Sequence, residues 1–111
     1  IFNVNWFRTD ADGKFLWPGY GENLRVLRWV LERVQGEGRG KDTPIGFVPT
    51  PDAIDMSGLN LPASTLDAVL NIDKEAWLDE AQGQRQFFEK FGDRLPPELL
   101  TQNDALLARL K

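Results

Sequence analysis

The chain has 111 residues, 41% of them hydrophobic and 27% charged, with 13 basic and 17 acidic side chains and a net charge of −4. That is enough for one small domain with a thin core margin, and without a basic run it is a poor match for nucleic acid. Cysteine and histidine are both absent, which excludes disulfides, thiolate zinc sites, cysteine nucleophiles, His-based triads and imidazole acid–base chemistry. No stretch has the length of a membrane span, and the N-terminal residues lack a signal-peptide pattern, so no membrane partner is expected.

In chain order, Ile1-Phe2-Asn3-Val4-Asn5-Trp6-Phe7 alternates apolar and polar residues and predicts a strand already under way. An opening strand without neighbours implies a piece of a larger protein. Asp10-Ala11-Asp12-Gly13 predicts a turn, after which Lys14 to Trp17 returns as a short strand ended by Pro18-Gly19. Asn23, or Glu22 before it, is expected to cap a helix running to about Val34. On a helical wheel Leu24, Leu27, Val30, Leu31 and Val34 share one broad arc, with Arg25, Arg28 and Glu32 opposite. Trp29 falls outside that arc. It either covers surface belonging to a missing part of the protein, the preferred reading, or is partly exposed.

Gln35 to Asp42, with Gly36, Gly38 and Gly40, predicts a flexible loop. Thr43-Pro44-Ile45-Gly46-Phe47-Val48-Pro49 predicts a short edge strand between prolines. Thr50 to Leu70 gives no clear element, although Leu59, Leu61, Leu66 and Leu70 indicate that it packs down. Asp73 is expected to cap a second long helix, in which Trp77, Ala81, Gln84, Phe88 and Phe91 form one stripe and Gly92 marks the end. A third helix follows Pro96-Pro97, with Leu99, Leu100, Leu106, Leu107 and Leu110 on one side. The resulting class is α/β, as an α+β fragment of short strands with about three helices.

The chemistry-bearing stretch is Phe15-Leu16-Trp17-Pro18-Gly19-Tyr20-Gly21-Glu22-Asn23. Gly19-Tyr20-Gly21 begins like a dinucleotide fingerprint, but Leu24 occupies its third glycine position. No G-x-x-x-x-G-K-[ST] is present either. Glu22 in the first turn of a helix opposes a phosphate there. Free backbone N–H groups, aromatic rings and the Asn23 amide suit a purine instead, the rings on its faces and the amide on its edge. From the residues alone, a turn-and-aromatic cluster that simply caps the core is the favoured reading and the purine site the alternative, since buried Trp-Pro-Gly corners are common. Asp10 and Asp12 read as a solvated turn ahead of a metal site, and Arg25, Arg28 and Arg33 as a wetted helix face.

Asn5-Trp6-Phe7-Arg8, Gly13 to Asn23, Arg25-Val26-Leu27, Thr43 to Pro49 and Phe91-Gly92-Asp93-Arg94-Leu95-Pro96 together closely resemble the C-terminal part of GTP-dependent phosphoenolpyruvate carboxykinase. The resemblance covers nearly the whole chain and implies that residues 1–111 are the C-terminal portion of its nucleotide-binding domain. Carried over by motif, Phe15 and Tyr20 sandwich the guanine of GTP, Phe7 lines the same pocket and Trp6 stands beside it. Tyr20, Gly21, Glu22 and Asn23 form the turn that addresses the base edge. Tyr20 stands where the family usually has phenylalanine, and Leu24 where serine is expected. The implied parent reaction converts oxaloacetate and GTP into phosphoenolpyruvate, GDP and CO2 in gluconeogenesis, using Mn2+ and Mg2+. The phosphate loop, the metal ligands, a reactive cysteine and a mobile lid would lie upstream, so no catalytic or metal-binding residue is expected here. The resemblance further implies a monomeric, cytoplasmic parent, with the rest of that chain as the partner of this segment. The competing reading is a non-catalytic module whose rings hold a sugar or a proline-rich peptide.

Overall fold

A computed structural model describes all of residues 1–111. The chain divides into two units, one of Ile1–Asp42 with Phe47–Asn71 and the other of Thr43–Gly46 with Ile72–Lys111.

In the first unit, residues 1–7 do not form the predicted strand. Alternation supplies a face, but a strand also needs a ladder partner for its N–H and C=O groups. The predicted turn does form. Gly13, at φ 78°, donates its N–H to Asp10 O at 3.1 Å. The Asp10 carboxylate accepts from the amides of Asp12 and Lys14 at 3.0 and 2.9 Å, so this carboxylate builds the turn. The return arm pairs only as an isolated antiparallel bridge, Phe15 with Thr9, flanked by Leu16 N–H to Arg8 O at 2.9 Å.

A 3-10 turn at Tyr20–Glu22 leads into helix α1, Asn23–Val34. The end at Val34 is the predicted one. The cap is not, because neither Glu22 nor Asn23 caps the helix with its side chain. The predicted apolar arc is also not the buried face: Leu24, Leu27, Leu31 and Val34 are all exposed, Leu24 and Val34 by more than 70%. Trp29 reverses both readings made for it. It is 4% exposed, its indole N–H donates to Arg39 O at 2.7 Å, and Phe2 packs edge-on against it at 6.0 Å.

That hydrogen bond also ties down the loop after α1. Arg33 donates to Gly38 O at 3.2 Å and lies 4.0 Å over the Phe47 ring. A Cβ on Gly38 would meet Arg33 at 2.9 Å, and one on Gly40 would collide with the Val48 carbonyl. Glycine at these two positions permits close approach of the backbone. Strands β1 (Lys41–Thr43) and β2 (Gly46–Val48) form a two-stranded hairpin around Pro44-Ile45, so the predicted edge strand begins later, at Gly46.

The stretch without a clear prediction holds a 3-10 turn at Pro51–Ala53 and helix α2, Ala63–Leu70. Leu66 is buried, as its packing role required. The Arg8 guanidinium donates to Val69 O and Asn71 O, at 3.0 and 2.7 Å, and satisfies carbonyls at the C-terminal end of α2. Trp17, Trp29, Ile54 and Leu66 are the buried apolar residues of this unit.

The second unit is a helical hairpin of α3 (Lys74–Glu89) and α4 (Pro97–Leu110), with Gly92 at φ 51° in the connection. Asp73 caps α3 as predicted, accepting from the amides of Glu75 and Ala76 at 3.0 and 3.1 Å. Ala81 is fully buried, which allows α4 to approach closely; Trp77, Gln84 and Phe88 of the same stripe are half-buried, and Phe91 is exposed. Leu110 is buried from α4, Leu99 is exposed, and Asn103 donates from Nδ2 to Ala81 O at 2.9 Å. Arg85 pairs with Asp104 across the hairpin, and Arg109 donates to Pro44 O at 2.8 Å. No helix of the chain is long and apolar enough to cross a membrane.

Candidate functional site

The Asp10–Gly13 turn brings Phe7 and Phe15 together. They are diagonal neighbours across the Thr9–Phe15 bridge, with ring centroids 6.0 Å apart and planes 62° to one another. The Phe7 amide is held by Asn5 Oδ1 at 3.0 Å. Both rings face solvent, Phe7 at 73% and Phe15 at 58% exposure. Folding leaves a large aromatic outside only at a cost in unburied apolar area, so the two touching rings make a small exposed apolar patch.

Trp6 and Trp17 behave differently. Their rings lie 6.1 Å apart and tilted by 43°, with Trp6 half-buried and Trp17 5% exposed. They anchor the segment from which the exposed rings project. Trp6, expected beside the pocket, is half-buried against Trp17.

Gly19, at φ 122°, reaches a backbone region that L side chains rarely adopt, and it turns the chain into the Tyr20–Glu22 3-10 turn. Within that turn, Glu22 N–H bonds Gly19 O at 3.1 Å and Asn23 N–H bonds Tyr20 O. The amides of Tyr20 and Gly21 take no partner in the chain. No atom would obstruct a Cβ on Gly21, so the approach to this turn is open. Tyr20 is 92% exposed and pairs with no other ring, so the structure unites Phe7 with Phe15 and leaves Tyr20 separate.

Glu22 is paired with Arg25 at 2.6 Å, and Arg25 also donates to Asp55 O at 2.6 Å. The carboxylate expected to oppose a phosphate is thus engaged by its own helix and braces the turn against the Asp55 loop. In that loop Asp55 lies below the ordinary carboxylate range, held there first by the Ser57 hydroxyl and then by the Ser57 amide. Asp52 is lowered as well, mainly by the Thr50 hydroxyl, with Arg39 paired to it at 2.5 Å.

Asn23 Oδ1 accepts from the Trp17 indole at 2.8 Å. Trp17 belongs to the chemistry-bearing stretch of the sequence but not to the residues expected to bind the base. The available signal was a tryptophan needing a partner for its N–H, six residues before an asparagine and across a Pro-Gly bend. The sequence reading gives the Asn23 side chain a helix cap or a base edge as partner, and the indole is neither. A separate concavity of about 460 Å³ is lined by Arg8, Asp10, Leu16, Asp67 and Asn71, among others, and by none of the exposed rings. The rings form an open platform.

A family model described as the phosphoenolpyruvate carboxykinase C-terminal P-loop domain matches residues 1–109. The chain belongs to this family. It is 53% identical to a GTP-type phosphoenolpyruvate carboxykinase of Neocallimastix frontalis over 112 aligned residues, which takes in 100% of this chain and 18% of that relative. The carboxykinase of Renibacterium salmoninarum is 46% identical, covering 99% and 18%, and that of Ascaris suum 44%, covering 100% and 17%. The chain therefore spans less than a fifth of the length of these relatives.

The family description includes a P-loop, yet residues 1–111 contain no Walker-type motif. The divalent metals implied by the family do not fit these residues either. No three carboxylates come together as a possible metal site, and Asp10 is occupied by backbone amides.

Proposed function

We propose that residues 1–111 are the guanine-recognising part of a GTP-dependent phosphoenolpyruvate carboxykinase, working within a longer polypeptide. The observation that carries this reading is the separation of anchors from exposed rings: Trp17 is buried and bonded to Asn23, while Phe7 and Phe15 lie exposed in contact with one another and Tyr20 lies exposed in the 3-10 turn that leads to Asn23. An aromatic face contributes about 1–3 kcal/mol to a stacked base. The unpartnered amides of Tyr20 and Gly21 and the Asn23 amide supply edge donors.

The parent enzyme would convert oxaloacetate and GTP into phosphoenolpyruvate, GDP and CO2 as a cytoplasmic monomer. Residues 1–111 bind and orient the base, and decarboxylation and phosphoryl transfer belong to the remainder of the polypeptide. The exposed arc of α1 supports the same reading, since Leu24, Leu27, Leu31 and Val34 form an apolar stripe of the kind that another segment covers. A sugar platform is less well supported, because its hydroxyls need free polar side chains and Glu22 is already paired with Arg25.

Tryptophan fluorescence of the full-length polypeptide, titrated with GDP and with ADP, tests the proposal. Saturable quenching by GDP at concentrations where ADP has no effect is expected, because Trp17 is bonded to a residue that would touch the base. Equal responses to both nucleotides would overturn it.

A further inference from the structure

Trp17, we propose, is a positioning residue that sets purine selectivity by fixing which end of the Asn23 amide is presented; this rests on the guanine reading above. An indole N–H can only donate, so the Asn23 atom facing it at 2.8 Å must be the amide oxygen. The Nδ2 group is then directed away from the indole, and it has no partner in the chain. Trp17 is 5% exposed and packed against Trp6, so its N–H direction is fixed by the unit's core. An amide held in this way offers hydrogen-bond donors.

The chemistry of the six-position of a purine decides what such a group selects. A 6-oxo purine presents an acceptor there and a 6-amino purine presents donors. A donor facing a donor leaves both unpaired, which is the arrangement that rejects a ligand most strongly. Without the indole N–H, the amide can rotate by half a turn and present its oxygen to a 6-amino group. Selectivity therefore depends on a residue that need not touch the base.

The test is the ratio of GDP to ADP affinity in the full-length polypeptide, for wild type, Trp17→Phe and Asn23→Asp. Trp17→Phe retains a large ring and loses only the donor with part of the indole. The expected result is a fall in the ratio of about tenfold, together with a higher KM for GTP at unchanged kcat and unchanged KM for oxaloacetate. Circular dichroism melting establishes that the variant folds. Asn23→Asp retains an acceptor for Trp17 but turns the outward group from donor to acceptor, so preference should move towards ADP. If Trp17→Phe does not fold, this second variant decides the matter. An unaltered GDP preference in a folded Trp17→Phe, or in Asn23→Asp, would overturn the inference and leave the guanine reading standing. Wild-type protein that binds GDP and ADP equally would overturn both.

Discussion

Replacing Phe15 with alanine separates recognition of the base from support of the fold. The ring is 58% exposed, so about two-fifths of it is buried. Full burial of a phenylalanine is worth about 1.5–3 kcal/mol, so the buried share is worth about 1 kcal/mol. The edge contact with Phe7 at 6.0 Å adds about 0.5–1.5 kcal/mol. A cost of roughly 1–2.5 kcal/mol leaves a domain of ordinary stability folded. Loss of a stacking face should weaken GDP by about 1–3 kcal/mol, or about 5- to 150-fold in Kd. Calorimetric titration of the full-length variant with GDP and with phosphoenolpyruvate is the assay, with urea unfolding as the measure of stability. The reasoning is refuted if GDP binds as in wild type, or if both ligands weaken equally.

Four further outcomes follow from particular contacts. Asp73→Ala removes the two-amide cap of α3 and should cost about 1 kcal/mol in chemical unfolding. Gly83→Ala in α3 should stabilise by up to about 1 kcal/mol, because an added Cβ meets nothing within 4 Å, and a Tm that fell instead would contradict the helix geometry. Leu31→Glu on the exposed face of α1 should leave the stability of the 111-residue chain within about 0.5 kcal/mol yet lower the Tm of the full-length polypeptide; equal small effects in both would argue against a covered face. Asp52 and Asp55 have lowered folded-state pKa values, so their contribution is present above the ordinary Asp range and is lost as pH falls through those lowered values. An NMR pH titration should place both midpoints below those of unfolded peptides, and Ser57→Ala should raise that of Asp55.

Features fixed by local chemistry were legible in the sequence. The Asp10–Gly13 turn, the span of α1, the Asp73 cap and the α3–α4 pair each follow from neighbouring residues, and all are present. Features decided by distant partners were not. Residues 1–7 have strand alternation but no ladder. The wheel of α1 identifies an apolar arc without saying whether this chain covers it, and Trp29 is buried through Arg39 and Phe2, which no helical period reveals. Helix α2 was obscured by the Pro, Asp and Ser residues before it. In the candidate site, the motif pointed to the rings and to Asn23. The direction of the Asn23 amide depends on a hydrogen bond to Trp17 that takes the place of the expected helix cap.

A crystal structure of the full-length polypeptide with GDP bound is the most direct test of the guanine site. The expected result is a base in contact with Phe7, Phe15 and Tyr20, with Asn23 Nδ2 on its six-oxo oxygen and Oδ1 still on Trp17. A guanine bound away from these three rings, with the platform covered by another part of the polypeptide, would contradict it.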